Sequence, residues 1–292
     1  MAQVPEISII GPGKVGTALG VLARRAGLRV AAIAGRSAAG AAQAAKALGG
    51  AKACSPAEAA ATAPLVLLTV PDDAIAGVCA DLAAKKAFRR EAVVAHCSGA
   101  LASGVLAPAR ESCGCRVGSM HPLQTFPTPE AAVDRLPGAY FFIEGDAQAA
   151  EVLEALATAI GGRCVRIAPE AKSLYHAAAV MACNYLAALL DGAAALAERA
   201  GIERRTELSA IEPLVRATID NVFTLGPAGA LTGPIERGDV ETLRRHISAM
   251  RGCDENLRVA FAAMGKLTVD LALKKGSISA ATAQKFKTLL SE

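Results

Sequence analysis

The 292-residue chain contains no tryptophan, and its aromatic residues together make up only 3%. Apolar residues nevertheless reach 53%, much of it alanine, so the core must be filled by small side chains that let helices pack closely. Paired cysteines are lacking too. Cys54, Cys79, Cys97, Cys113, Cys115, Cys164, Cys183 and Cys253 fall at irregular positions without a C-x-x-C pair. That pattern excludes a zinc ribbon and argues against a disulfide framework, and it leaves reduced thiols as expected in the cytoplasm. No metal-ligand spacing is present.

Charge is also scarce in the places where it would point to a polymer or a surface. The formal net charge is only +4, and the densest basic cluster, KKAFRR at 85–90, has no interleaved aromatics. A nucleic-acid partner is therefore not expected. The opening MAQVPEISII lacks a basic n-region, so no secretory signal is expected. The longest apolar stretch, HAAAVMACNYLAALLDGAAALA, is broken by His176, Asn184 and Asp191. A membrane span needs about 20 predominantly apolar residues, so this stretch is expected to be a buried helix, with no membrane partner.

What is present begins with alternation. The runs ISIIG, RVAAIAG, LVLLTV, AVVAHCSG, RVGSMHP, YFFIEG and CVRIA are separated by alanine-rich helical segments up to about residue 167. Such alternation predicts β-α-β units and a mostly parallel sheet. Strand signals then stop, which places a boundary near Ile167–Pro169. Pro169 suits the first position of a helix, and that helix can run to Gly201, about 48 Å at 1.5 Å per residue. Gly192 is a candidate kink. Four glycines and two prolines in LGPAGALTGPIERGD, 225–239, forbid a continuous helix there, and Asp239 reads as the N-cap of the next one.

Within SIIGPGKVGTALG, Gly11, Gly13 and Gly16 follow a predicted strand and open a predicted helix, the context that a dinucleotide fingerprint requires. Gly11 permits the tight turn, Gly13 lets pyrophosphate approach the backbone, and Gly16 allows close helix packing. Lys14 and Val15 fall in the first turn, whose free N–H groups face the phosphates. The fold class is therefore α/β, with a Rossmann dinucleotide-binding domain at 1–167 followed by an all-α domain at 168–292. At the end of the second strand, where a carboxylate would select NAD, stand Gly35, Arg36 and Ser37. A guanidinium and a hydroxyl suit a 2′-phosphate, so the expected cofactor is NADP. Thr69, Val70 and Pro71 end another strand at the cofactor edge and are expected to line it, with Ser98 further along. Asp72 and Asp73 are assigned the simpler role of capping a helix.

Hydride transfer also needs a group that moves a proton. His96 in HCSG and His121 in GSMHPLQTF sit at predicted strand ends, where each is either a site residue or a histidine bonded to a loop carbonyl. Pro122, Ser119 and Gln124 favour His121. Lys172 and His176, spaced i and i+4, share one helix face about 6 Å apart along the axis. Lys172 is either a solvated first-turn lysine or a functional one. The helix dipole disfavours a cation there, so its placement points to function. Asn184, about 18 Å further along, is out of reach of the same atoms.

With GPGKVG, VPDD, HCSG, HPLQTF, KSLYHAAAVMACNYLAAL and LTGPIERGD, the whole chain resembles a family of bacterial Rossmann-like oxidoreductases with a helical C-terminal domain of formerly unknown function. Its wider relatives form the 6-phosphogluconate dehydrogenase-like superfamily, which includes pyrroline-5-carboxylate and ketopantoate reductases. The resemblance implies an NADP-dependent reductase of a small keto acid, with 2-dehydropantoate foremost. The alternatives are an imine reductase of the pyrroline-5-carboxylate type or a non-catalytic NADP-binding sensor or scaffold. It also implies a homodimer through the helical domain, and a proton-donor role for Lys172. In the β-hydroxyacid enzymes an asparagine follows that lysine by four residues, and His176 stands there instead. Thr232, Arg237 and Asp239 are implied to border the site, with Arg237 as a carboxylate clamp or simply a surface arginine beside the cap. Arg36→Ala is expected to raise the Michaelis constant for NADPH; an unchanged constant means that the 2′-phosphate is held elsewhere.

Overall fold

The computed structural model describes residues 3–291. Two compact units divide the chain, Met1–Ala182 and Cys183–Glu292. The first opens with β1 (Ile7–Ile10), α1 (Lys14–Arg25), β2 (Val30–Ala34), α2 (Ala38–Ala47), β3 (Lys52–Ala53), α3 (Pro56–Thr62), β4 (Leu65–Leu68) and α4 (Asp72–Ala84). It continues through β5 (Val93–His96), α5 (Ala107–Cys113), β6 (Arg116–Leu123), α6 (Pro129–Arg135), β7 (Tyr140–Gly145), α7 (Ala147–Ala159) and β8 (Arg163–Arg166). All seven strand runs read from the sequence are strands. The two-residue β3 carries too little pattern to be anticipated.

The strands form one sheet in the order β3-β2-β1-β4-β5-β6-β7-β8. Neighbours are parallel except at β6 and β7, which are antiparallel. Side chains alternate between faces, as the strand period demands. Ile7, Ile9, Leu65 and Leu67 join a core with α1, α2, α6 and α7, whereas Ile10, Val66, Leu68 and Val94 join one with α3, α4 and α5. Both faces are covered, which is why these strands read as continuous apolar runs.

After a single turn at Pro169–Ala171, α8 (Lys172–Arg199) runs 28 residues, about 42 Å. Gly192 does not interrupt it. Strands end at Arg166, at the expected change of character, but the first unit extends to Ala182 because the first turns of α8 are tied to the sheet. The helix is not buried as expected. With the turn before it, it is long and apolar enough to cross a membrane, and Leu174, Met181 and Tyr185 are 78%, 56% and 55% exposed.

The second unit adds α9 (Arg204–Ala230), α10 (Val240–Ala249), α11 (Glu255–Lys275) and α12 (Ala280–Leu289). The expected break comes at Gly226, whose φ of 74° and ψ of 162° leave the helical region just before Pro227. Asp239 caps α10 by accepting from the Thr242 N–H at 3.0 Å. Leu243, Val269, Ala272, Phe286 and Leu290 form this unit's core.

Among the described glycines, Gly16 in the first turn of α1 leaves the least room for a side chain. A Cβ on Gly16 would stand 2.3 Å from both the Gly11 carbonyl oxygen and Thr69 Oγ1. Gly16→Ala is therefore expected to cost about 1–3 kcal/mol of stability, read as a lower urea midpoint, and an unchanged midpoint would refute the packing argument.

Candidate active site

The cradle is built largely from backbone. Gly11 takes φ +117°, and a Cβ there would lie 2.5–2.7 Å from the Thr69 carbonyl and the Val70 nitrogen. The Thr69 N–H donates to Ile10 O at 2.8 Å, and its hydroxyl donates to Gly11 O at 2.7 Å. The turns after β1 and β4 are thus pinned together at the point where strand order reverses, the usual ligand edge of an open α/β sheet. Gly13 caps α1 without a side-chain hydrogen bond, and no acid follows in the first turn. A Cβ on Gly13 would meet only Thr69 O, at 4.0 Å. Free N–H groups and open space together fit a diphosphate.

A cleft of about 800 Å³ follows, lined in part by Gly11, Gly13, Arg36, Ser37, Val70 and Pro71. Arg36 is exposed, and among the described residues it has no ion-pair partner. Ser37 Oγ accepts from the Gly40 N–H at 3.1 Å as the cap of α2 and keeps its own proton to donate. Gly16 shapes the turn from behind; Lys14 and Val15 stand in the first turn of α1, outside the lining. Ser98 is also outside the lining, against expectation. Its hydroxyl donates to Asp72 Oδ2 at 2.6 Å and accepts from the N–H groups of Ala100 and Leu101, so it shapes the loop after β5. Asp72 serves that bond from the first turn of α4, whose cap position is Pro71.

A second cluster stands on the same unit. His96, Ser119 and Glu144 are in register across β5, β6 and β7, a buried polar row between apolar neighbours. Lys172 comes in from α8 and is 1% exposed, so it is not a solvated lysine. Its Nζ donates to Ser98 O at 2.8 Å and to Ser119 Oγ, and lies 3.8 Å from Glu144 Oε1. Glu144 is itself fixed by the Ser103 N–H at 2.7 Å and the Ser103 hydroxyl at 2.6 Å. Burial lowers the Lys172 pKa to about 8 against the opposing pull of Glu144. The ammonium therefore holds its proton at neutral pH and can release it close by.

Beside it, His121 Nδ1 lies 2.9 Å from the Tyr175 hydroxyl, and its ring stands edge-on to His176 at 5.9 Å between centroids. Tyr175 rests on Phe142 at 4.2 Å. Gly99 makes this possible, since a Cβ there would lie 2.5 Å from His176 Cδ2 and 2.8 Å from His121 Nε2. Burial, then the Lys172 charge and His176, lower His121 to about 4. His96, whose Nδ1 accepts from the Ser98 N–H at 3.2 Å, is also lowered to about 4, chiefly by burial.

The structure brings together Lys172, His121 and His176, which the sequence singles out separately on a helix face and at a strand end. Sequence reasoning missed Glu144, Ser103 and Tyr175. A carboxylate inside YFFIEG and a tyrosine three residues after Lys172 were the available signals. Thr232, Arg237 and Asp239 lie in the helical unit. Arg237 is exposed, Asp239 serves as a cap, and Thr232 lines a pocket of about 280 Å³ with His246 and Phe261.

Residues 3–122 match the Rossmann-like domain, and residues 139–268 match the domain of unknown function DUF2520. The two matches follow one another along the chain, each covering less than half of it. No curated protein sequence matches it. Among solved structures, a Bacteroides fragilis protein described as an NADP oxidoreductase is 25% identical, covering 93% of this chain and 97% of its own, with a TM-score of 0.69. Protein TM1727 from Thermotoga maritima is 26% identical over 92% and 99%, at 0.71. A reductive aminase from Aspergillus terreus, in complex with NADPH and ethyl levulinate, is 19% identical over 99% of both chains, at 0.66, and shares the fold. The DUF2520 match includes Glu144, Lys172, Tyr175 and His176, whereas the Rossmann-like match includes the glycine cradle, Ser119 and His121.

The neutral histidines have a thermodynamic consequence. Their folded pKa values are depressed from 6.5, so on acidification the unfolded chain takes up protons that the folded one refuses. Stability is complete above pH 6.5 and is lost as pH falls toward 4. Urea unfolding is expected to show a decline already between about pH 6.5 and 5, before most carboxylates titrate, with a shallower slope in His96→Gln. A flat wild-type profile in that window would show that the histidines are not held neutral.

Proposed function

We propose that this chain uses NADPH to reduce the carbonyl of a small keto acid, with 2-dehydropantoate as the first substrate to test. The observation that carries the reading is a buried lysine, protonated at neutral pH, standing with two half-buried histidines on the same unit as a glycine cradle and an Arg36-lined cleft. Gly11 and Gly13 fit the diphosphate, and Arg36 and Ser37 the 2′-phosphate of NADP. When bound, NADPH supplies the hydride.

The chain's own residues supply the rest. Lys172 keeps a proton in the interior through Ser119, Ser98 and Glu144 and is the proton source for the new hydroxyl. His121 and His176, half-buried, are the groups a substrate meets and orients against. Of the residues the resemblance implies, Thr232, Arg237 and Asp239, Arg237 has the chemistry to hold a carboxylate, whereas Asp239 is committed to capping α10. The second reading is C=N reduction of a cyclic imino acid; a reductive aminase and a pyrroline-5-carboxylate reductase share the fold.

The exposed apolar residues of α8 and of α9, where Phe223 is 86% exposed, favour a homodimer that covers them. All eight cysteines are free, which suits a cytoplasmic enzyme.

The test is NADPH oxidation by purified protein with 2-dehydropantoate, pyrroline-5-carboxylate and short β-keto acids. Turnover of 2-dehydropantoate is expected, with Lys172→Met lowering kcat at least about 100-fold while NADPH still binds. Turnover of the imino acid alone would replace the leading reading by the second. Tight NADPH binding without any turnover would make the chain a sensor or scaffold.

A further inference from the structure

His121 has two ring nitrogens in different surroundings. Nδ1 lies 2.9 Å from the Tyr175 hydroxyl, while Nε2 has no hydrogen-bond partner among the described residues and abuts Gly99, where no side chain intervenes. The hydroxyl likewise has only this one partner among the described residues. If Nδ1 carried the proton, the half-buried Tyr175 O–H would have no acceptor and Nε2 no donor. With Nδ1 bare, the hydroxyl donates to it, and Nε2, which is not among the buried polar atoms lacking a partner, carries its N–H beside Gly99 where water or a ligand can reach it. A hydroxyl proton shielded without an acceptor costs about 1–3 kcal/mol, whereas an Nε2–H that water can reach is not left unmade, so the second arrangement prevails.

We infer that Tyr175 is a positioning residue that holds neutral His121 in the Nε2–H form, so that His121 offers a substrate oxygen a hydrogen-bond donor and not a base. The inference rests on the reductase reading for its substrate and on geometry alone for its tautomer. Three groups act on the ring electrostatically besides the tyrosine: Lys172 and His176 from α8 oppose its protonation, and Asp72 from α4 favours it. Burial adds to the first two and keeps the imidazole uncharged, and it lifts the Tyr175 phenol to about 12, so the hydroxyl retains its proton. The division of roles is then clear. Lys172 supplies the proton, and His121 polarises the oxygen on which charge develops.

Nitrogen-15 NMR of the full, NADPH-saturated protein tests the tautomer without any substrate, with the His121 signal assigned by its loss in His121→Gln. Nδ1 is expected bare and Nε2 protonated from about pH 6 to about pH 8, with no titration. An Nδ1–H ring, or a midpoint inside that range, overturns the inference even if the keto acid is turned over.

Tyr175→Phe keeps the ring on Phe142 and removes only the hydroxyl. It is expected to shift the His121 nitrogens toward a mixture of tautomers and to lower kcat about five- to tenfold, the worth of one hydrogen bond, with the KM for NADPH unchanged. In a His121→Gln background the same change should cost nothing further. An unchanged spectrum, or a loss that adds fully to that of His121→Gln, would show that Tyr175 does not act through His121. If no substrate is turned over, the reductase reading fails while the NMR result stands by itself.

Discussion

The structure turns on the enclosure of one ammonium group. Taking a lysine out of water costs several kcal/mol unless its donors find partners. Lys172 finds Ser98 O, Ser119 Oγ and Glu144, and Glu144 is in turn saturated by Ser103. This chain of contacts ties the loop after β5, the strands β6 and β7, and the start of α8 into one node. The reversal of β7 is what makes the node possible, because its antiparallel register sets Glu144 directly opposite Ser119. The two residues sit side by side in the ladder, so one cation can reach both.

Once that cation is in place, the surrounding groups follow from it. Its charge is among the causes that keep His121 and His96 uncharged, after burial. The node therefore holds one positive charge instead of three. One ammonium with neutral imidazoles around it separates the tasks of giving a proton and giving a hydrogen bond, which three competing cations would blur. Glu144 opposes the effect of burial on Lys172, and the compromise leaves its pKa near the pH at which a proton donor works best.

Sequence periodicity was enough for the fold because its signals are local. Seven apolar runs, three glycines and a proline before a long helix each declare themselves within a few residues. Lys172 and His176 were legible for the same reason, since i and i+4 spacing on a helix is geometry. What stayed hidden depends on register between distant segments. Nothing in YFFIEG says that its strand runs against β6, so Glu144 is an unexplained carboxylate until the pairing is known. Tyr175 lies close to Lys172 in sequence, but its partner His121 is 54 residues away. The exposure of α8 was hidden for another reason: an apolar composition says that a surface wants cover, not whether the same chain supplies it.

The two halves of the site are made of different materials, and this difference bears on what each can become. The cradle is backbone: Gly11, Gly13 and Gly16 act by what they lack, and almost any neighbours that keep the strand and helix would preserve it. The chemical cluster is made of side chains, and it depends on which ones are present. His176 stands one helical turn after Lys172, and Gly99 leaves the room that two imidazoles fill. An amide in place of His176 would offer a donor and an acceptor together and relieve the pressure on His121, whereas the imidazole adds to the groups that resist its protonation. On the proposed reading, cofactor choice rests near Arg36 and the cradle and substrate choice on His121, Tyr175 and His176, so either could change without rebuilding the other.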